Sequence, residues 1–269
     1  MKTLAHISDV HFGREDPALV EALIHSLTEA RPDIIVVSGD LTQRARKRQF
    51  KAARAFLRQL PHVPHLIVPG NHDVSTTNLV RRALNPLEHY KRYITEDLAP
   101  FIDDGEVAIA GINTVRLLAT KDGRINARQV TNAVAQLAQA SPEAIRVVVT
   151  HHPMDRPSTD VKNALVTRAP AAMRAFAKAG VDLFLSGHLH GGLTLATSVR
   201  YPLPNYSAIV AHAGTAVSTR TRNEPNAWNL IHLAPNEIQI HQIAWTGTNF
   251  TQTRTDPYTR TPQGWTLTT

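Results

Sequence analysis

Apolar runs that break off into polar loops constrain this chain more than any other feature. "LAHISDVH", "DIIVVSGD", "VPHLIVPGNHD", "IRVVVTHHP" and "VDLFLSGHLH" each read as a buried strand whose carboxyl end opens into a turn. Helical patterns fall between them. Asp16 is a candidate N-cap with Pro17 at the first helical position, and Leu19, Leu23 and Leu27 share one face. Phe50, Ala53, Leu57 and Leu60 form a second stripe of helical spacing. "ARQVTNAVAQLAQA" and "APAAMRAFAKAG" predict two further helices. Strand–helix alternation implies parallel strands with right-handed crossovers. In open α/β sheets, ligands bind beyond the carboxyl ends of the strands, which is where these polar loops fall.

After Gly191 the texture changes. "GGLTLAT", "SAIVAHAGTAVS", "AWNLIHLA" and "EIQIHQIAW" are strand-like with turns between them, which predicts a second, more antiparallel sheet packed on the first. No repeat or linker divides the chain, so residues 1–246 read as one domain. Residues 74–106, with Arg81, Arg82, Lys91 and Arg92, read as a largely helical cap at the site edge. Residues 247–269 are rich in Thr and Pro and read as a loose or wrapping extension.

Composition narrows the chemistry. The 269-residue chain has no cysteine, which excludes disulfides and thiolate metal sites. Any metal is therefore held by carboxylate, amide, carbonyl or imidazole groups. A formal net charge of +7 suits an anionic partner: a phosphate ester, a nucleic acid or an acidic membrane face. No apolar run approaches the roughly 18–20 residues that span a bilayer. "MKTLAHISDVH" passes into a strand pattern without an apolar signal core, so a cytoplasmic address is expected. The oligomeric state is not set by the sequence, and a dimer is compatible with it.

Asp9 and His11 stand two apart at a strand end, and His188 and His190 repeat the spacing. If strand geometry persists, each pair points to one side. Asp40, Asn71 and His151 each end a separate run. If these strands are neighbours in one sheet, two carboxylates, one amide and four imidazoles converge on one rim. That set suits Mn, Fe or Zn better than Ca. Seven ligands exceed what one ion usually takes from protein, so two ions sharing a carboxylate account for them better. Asp40, alone at its strand end, is the natural bridge. Such a pair clamps the attacking and leaving oxygens of an in-line displacement at phosphorus and acidifies a trapped water.

"DVH", "GDL", "GNHD", "THHP" and "GHLH" together, across about residues 4–192, resemble the calcineurin-like binuclear metallophosphoesterases. The wording of "GDLTQRA", "GNHD" and "GHLH" is most similar to bacterial class III cyclic-nucleotide phosphodiesterases and their glycerophosphodiesterase relatives. The resemblance implies an α/β fold, a four-layer αββα sandwich of two mixed β-sheets flanked by helices. It implies Asp9, His11, Asp40 and His190 around one ion, and Asp40, Asn71, His151 and His188 around the other. It also implies that His72 faces the substrate phosphate, stabilising the transition state or protonating the leaving oxygen, with Asp73 orienting it. "THHP" offers both His151 and His152; the family pattern favours the first.

The activity implied is hydrolysis of small phosphodiesters, of cyclic-nucleotide or glycerophosphodiester type, by a metal-bridging hydroxide. A nuclease acting on DNA or RNA ends and a non-catalytic scaffold are the alternatives. Against the nuclease, there is no added DNA-binding domain. Arg44, Arg46, Lys47, Arg48, Lys51, Arg54 and Arg58 form a basic cluster without the interleaved aromatics that stack single-stranded bases. The cluster suits electrostatic steering of an anion, with Arg54 and Arg58 reading as a solvated face. Against the scaffold, every ligand position is filled. His6, His25, His62, His65, His89, His212, His232 and His241 lack motif context and read as structural.

Overall fold

Period-two alternation in the early strands builds two apolar layers at once. In β1 (Lys2–Ile7), Ala5 and Ile7 join one core while Leu4 joins another. In β2 (Ile34–Val37), Ile35 and Val37 join the first core, and Ile34 and Val36 the second. The computed structural model describes residues 1–75, 85–116, 122–157, 165–221 and 224–268. β3 (His65–Ile67) is followed by β4 (Phe101–Asp103), β5 (Val107–Ile112), β6 (Ile145–Thr150) and β7 (Leu183–Ser186). β8 (Leu193–Ala196) and β9 (Ile209–His212) come next. The chain ends with β10 (Ala227–Ala234), β11 (Glu237–Trp245), β12 (Phe250–Thr261) and β13 (Gly264–Leu267).

Among the described residues these strands form two mixed sheets, in the orders β13-β12-β11-β10-β1-β2-β3 and β4-β5-β6-β7-β9-β8. Helices α1 (Pro17–Ala30) and α2 (Lys47–Leu57) share a core with the first sheet through Leu19, Leu23, Leu27, Phe50 and Phe56. α3 (Glu88–Tyr93) joins them through Tyr90, whose hydroxyl donates to the Ile67 carbonyl at 3.1 Å. α4 (Ala127–Leu137) and α5 (Ala169–Lys178) pack with the second sheet through Val130, Leu137, Met173 and Phe176. A third core, with Leu4, Val36, Leu66, Val149, Leu185 and Ile231, draws on both sheets. This is the αββα sandwich. Asp16 caps α1 by accepting from the Ala18 N–H at 2.9 Å.

Three expectations need correction, and a fourth, open between a loose and a wrapping extension, is decided. The late strands do not make a separate sheet: β10 pairs antiparallel with β1 and starts an extension of the first sheet, while β8 and β9 complete the second. Pairing on both sides satisfies the buried backbone groups of β1. The motif-bearing strands are likewise divided, β1, β2 and β3 in one sheet, β6 and β7 in the other. The 247–269 segment is not loose. Its β12 and β13 form a hairpin on β11, and Trp265 Nε1 donates to Asp182 Oδ1 at 2.9 Å beside β7. Finally, in the described part of 74–106 the helical content is α3 alone, between Pro86 and Pro100, which interrupt helices. Arg81 and Arg82 lie outside the described residues. Among the described residues, no helix is long and apolar enough to cross a membrane.

Candidate metal centre

Strand geometry stops before the candidate ligands begin. β1 ends at Ile7 and β7 at Ser186, and the side chains beyond them are aimed by left-handed turns. Asp9 (φ 53°), His11 (46°), Asp40 (53°), His188 (69°) and His190 (62°) all adopt positive φ. They are five of the nine non-glycine residues that do so among the described residues. The left-handed region costs an L-residue roughly 1–2 kcal/mol. The convergence of Asp9 with His11, and of His188 with His190, therefore comes from these turns and not from continued pleating. Inter-loop bonds hold them: Asp9 N–H to Gly39 O at 3.1 Å, and His11 N–H to Asp40 O at 3.0 Å. The His188 N–H donates to Asp9 Oδ2 at 3.0 Å across the two sheets. A β-carbon at Gly70 would overlap the Asp40 carboxylate, and one at Gly187 would overlap Asp9. Glycine in "GNHD" and "GHLH" is thus the room these carboxylates occupy.

All seven sequence-predicted ligands meet at this rim. Asp9 Oδ1 lies 3.4 Å from both His11 Nε2 and His190 Nε2. Asn71 Oδ1 lies 3.1 Å from both His151 Nε2 and His188 Nδ1. Between these groups, Asp40 turns Oδ2 to within 3.7 Å of His11 Nε2 and Oδ1 to within 3.4 Å of His151 Nε2. Asp9, His11 and His190 form one set with the spacing to hold a metal ion, and Asp9, Asp40 and His151 another. The second nitrogens of two rings are engaged: His151 Nδ1 faces the Ser38 carbonyl at 2.8 Å, and His190 Nδ1 faces the Arg220 carbonyl at 2.9 Å. Such contacts fix ring orientation for ligation.

The electrostatics fit cations. Asp9 and Asp40 are buried, which works against ionisation, yet neighbouring imidazoles hold both carboxyls below their usual range, chiefly His190 for Asp9 and His151 for Asp40. Burial also works against charge on His151, but Asp40 outweighs it and raises this imidazole to about 9. Asp9 Oδ1 and both His11 nitrogens are buried without a hydrogen bond. The imidazole nitrogens of His11 and His190, at 3.4 Å, face that anionic oxygen, and a cation among them would meet its charge. Carboxylate, amide and imidazole donors in this arrangement fit metal cations.

His72 stands beside the donor set, its ring centroid 4.9 Å from that of His11. Its Nδ1 lies 2.8 Å from the Gln43 carbonyl, which assigns the proton to Nδ1. Nε2 is then the acceptor for Arg220 Nη1 at 2.8 Å. Asp73 does not orient this ring. Its carboxylate accepts from the N–H groups of Leu41 (3.2 Å), Thr42 (2.9 Å) and Gly70 (3.0 Å), and from the Thr42 hydroxyl (3.0 Å). It staples the loops after β2 and β3, and the group that meets His72 Nδ1 is the Gln43 carbonyl. A backbone acceptor leaves no trace in a sequence. Arg220 also escaped the reading, since it stands 148 residues from His72 in a segment without a motif.

His152 lies next to the centre, with its ring 4.8 Å from that of His188 and Nδ1 2.8 Å from the Thr114 hydroxyl. With His151 and His188 it forms a further group of metal-capable spacing. His151 is the one that faces Asp40 and Asn71. The basic residues Arg44, Arg46, Lys47, Arg48, Lys51, Arg54 and Arg58 are all exposed.

Two stacked mixed sheets meeting in an Asp/His/Asn cup put this protein in the metallophosphoesterase class of hydrolases. The chain belongs to the calcineurin-like phosphoesterase family, whose profile matches residues 2–192. It is 29% identical over 195 residues to a glycerophosphodiester phosphodiesterase of Enterobacter lignolyticus, covering 64% of this chain and 68% of that one. It is 27% identical over 260 residues to a cAMP/cGMP dual specificity phosphodiesterase of Mycobacterium tuberculosis, covering 89% and 78%. Among solved structures, a dimetal phosphatase from Danio rerio shares the fold at TM-score 0.68 and 13% identity, covering 97% of this chain and 99% of that one. A purple acid phosphatase from yellow lupin does so at 0.69 and 12%, covering 94% of this chain; the chain spans about half (53%) of the lupin enzyme.

Proposed function

We propose that this protein is a binuclear metal-dependent phosphodiesterase for small anionic substrates of the cyclic-nucleotide or glycerophosphodiester type. The observation that carries the reading is the split of Asp40, one oxygen toward His11 and the other toward His151. Asp9, His11, Asp40 and His190 would hold one ion, and Asp40, Asn71, His151 and His188 the other. When bound, two cations supply Lewis-acid charge for the phosphoryl oxygens and acidify a water to hydroxide. The two curated relatives, both phosphodiesterases by name, support a diester substrate.

The chain's own residues do the rest. Gln43 fixes the His72 ring so that Nε2 faces the rim. Burial lowers the His72 pKa and the nearby Asp40 charge raises it, with burial the stronger of the two. A bound phosphodiester anion adds to the second effect and favours the imidazolium, which can donate from Nε2 to the departing oxygen.

The test sets the metal-loaded protein against a phosphomonoester, an open phosphodiester, a cyclic nucleotide and single-stranded DNA side by side. Highest turnover is expected with the open diester or the cyclic nucleotide. Highest turnover with DNA would favour a nuclease, and none with any ester would remove the enzymatic reading.

A further inference from the structure

The loop between β9 and β10 carries an arginine whose backbone is fastened at several points and whose head meets one imidazole nitrogen. The Arg220 carbonyl accepts from His190 Nδ1 at 2.9 Å, and its N–H donates to the Ser218 hydroxyl at 3.1 Å. Ser218 in turn gives its carbonyl to Asn226 Nδ2 at 2.9 Å, and bridges antiparallel to Glu15. The Thr219 N–H donates to the Arg14 carbonyl at 2.9 Å. These bonds tie the loop both to a candidate ligand and to the turn that follows His11.

The side chain contrasts with that backbone. It is exposed, and it reaches His72 Nε2 at 2.8 Å. Among the described residues, no carboxylate pairs with the guanidinium. A guanidinium carries five N–H donors in a fork that matches two oxygens, and a single neutral imidazole nitrogen uses little of that capacity. A phosphoryl group offers a charged, two-oxygen acceptor. His72 lies beside His11, so the guanidinium stands where a phosphoryl group held by the donor set would present its outer oxygens.

We infer that Arg220 is a substrate-binding residue that grips the non-bridging oxygens of the phosphodiester. The inference rests on the phosphodiesterase reading above. In the resting protein His72 Nε2 holds the guanidinium at the rim. On substrate binding the guanidinium passes to the phosphoryl oxygens and releases Nε2 to face the leaving oxygen.

The test measures binding of inorganic phosphate to metal-loaded wild type, Arg220→Gln and Arg220→Lys by calorimetry, with metal content determined for each. Steady-state kinetics on an open phosphodiester accompany it. Arg220→Gln should keep its metals and bind phosphate about 10- to 100-fold more weakly, the range for a lost hydrogen bond to a charged group. KM should rise by a similar factor. Arg220→Lys should fall between, since it keeps the charge but loses the fork. Unchanged phosphate affinity and KM in Arg220→Gln would overturn the inference. Should Arg220→Gln lose metal, Arg220→Met decides by the same criteria. Failure of the phosphodiesterase reading is separable: wild type would then turn over neither the open diester nor the cyclic nucleotide, whatever Arg220 does to phosphate affinity.

Discussion

Asp40 Oδ1 accepts the backbone N–H of His72 at 2.8 Å, which joins the carboxylate between the two donor groups to the imidazole at the rim. Asp40→Ala should therefore disturb both groups and His72 together. Activity should fall by roughly 10³-fold or more, since metal charge supplies several kcal/mol of transition-state stabilisation. Mass spectrometry of metal content should show a larger loss than in Asn71→Ala or His190→Ala. Two metals per chain retained in Asp40→Ala would remove it as the shared ligand.

Removing the His72 ring should leave metal content unchanged. His72→Ala should lose roughly 10²–10⁴-fold in kcat for alkoxide leaving groups, the range for a positioned acid. The loss should shrink for nitrophenolate, which departs without a proton. Equal losses with both leaving groups would assign His72 to general electrostatic stabilisation.

Asp73 should matter to the fold and hardly to proton transfer. Asp73→Asn turns an amide N–H₂ toward donors that the carboxylate satisfies, and should cost about 2–4 kcal/mol. Urea denaturation of the chelator-treated protein measures this. The folded, metal-loaded variant should keep activity within about tenfold of wild type. Unchanged stability with a loss confined to alkoxide leaving groups would restore the orienting role.

His6 predicts an acid-labile step. It lies fully buried, with Nε2 2.9 Å from the Ser38 hydroxyl. Burial lowers its pKa from 6.5 to about 3, His212 adds to the effect and Asp9 opposes it. As pH falls, the unfolded chain takes the proton first. The contribution of His6 to stability is thus complete above pH 6.5 and is lost progressively toward pH 3. Urea unfolding of the chelated protein between pH 6.5 and 4.5 should show a slope that His6→Gln reduces by up to about 1.4 kcal/mol per pH unit. Identical slopes would exclude His6 as a source of the acid sensitivity.

The candidate ligand set was legible because metal chemistry restricts residue type, and because each of its members follows an apolar run that is readable by itself. "DVH" and "GHLH" announced Asp9, His11, His188 and His190 without any knowledge of pairing. Which sheet each strand joins was not legible. β10 pairs with β1 across more than two hundred residues, and nothing local to "AWNLIHLA" names that partner. The left-handed φ of Asp9, His11, Asp40, His188 and His190 was hidden for another reason: Asp and His give no glycine signal, and their conformation is imposed by bonds between loops. The neighbours of His72 were hidden too. Gln43 acts through a carbonyl that every residue owns, and Arg220 arrives from a distant loop.

The left-handed turns have a consequence for how metal and stability are linked. Asp9, His11, Asp40, His188 and His190 each sit on a backbone that costs an L-residue roughly 1–2 kcal/mol. Bonds between loops offset part of that cost, among them Asp9 Oδ2 to the His188 N–H and Asp40 Oδ1 to the His72 N–H. Cations held by the proposed ligands would bind the folded chain alone, so metal loading should raise the unfolding midpoint and chelation should lower it.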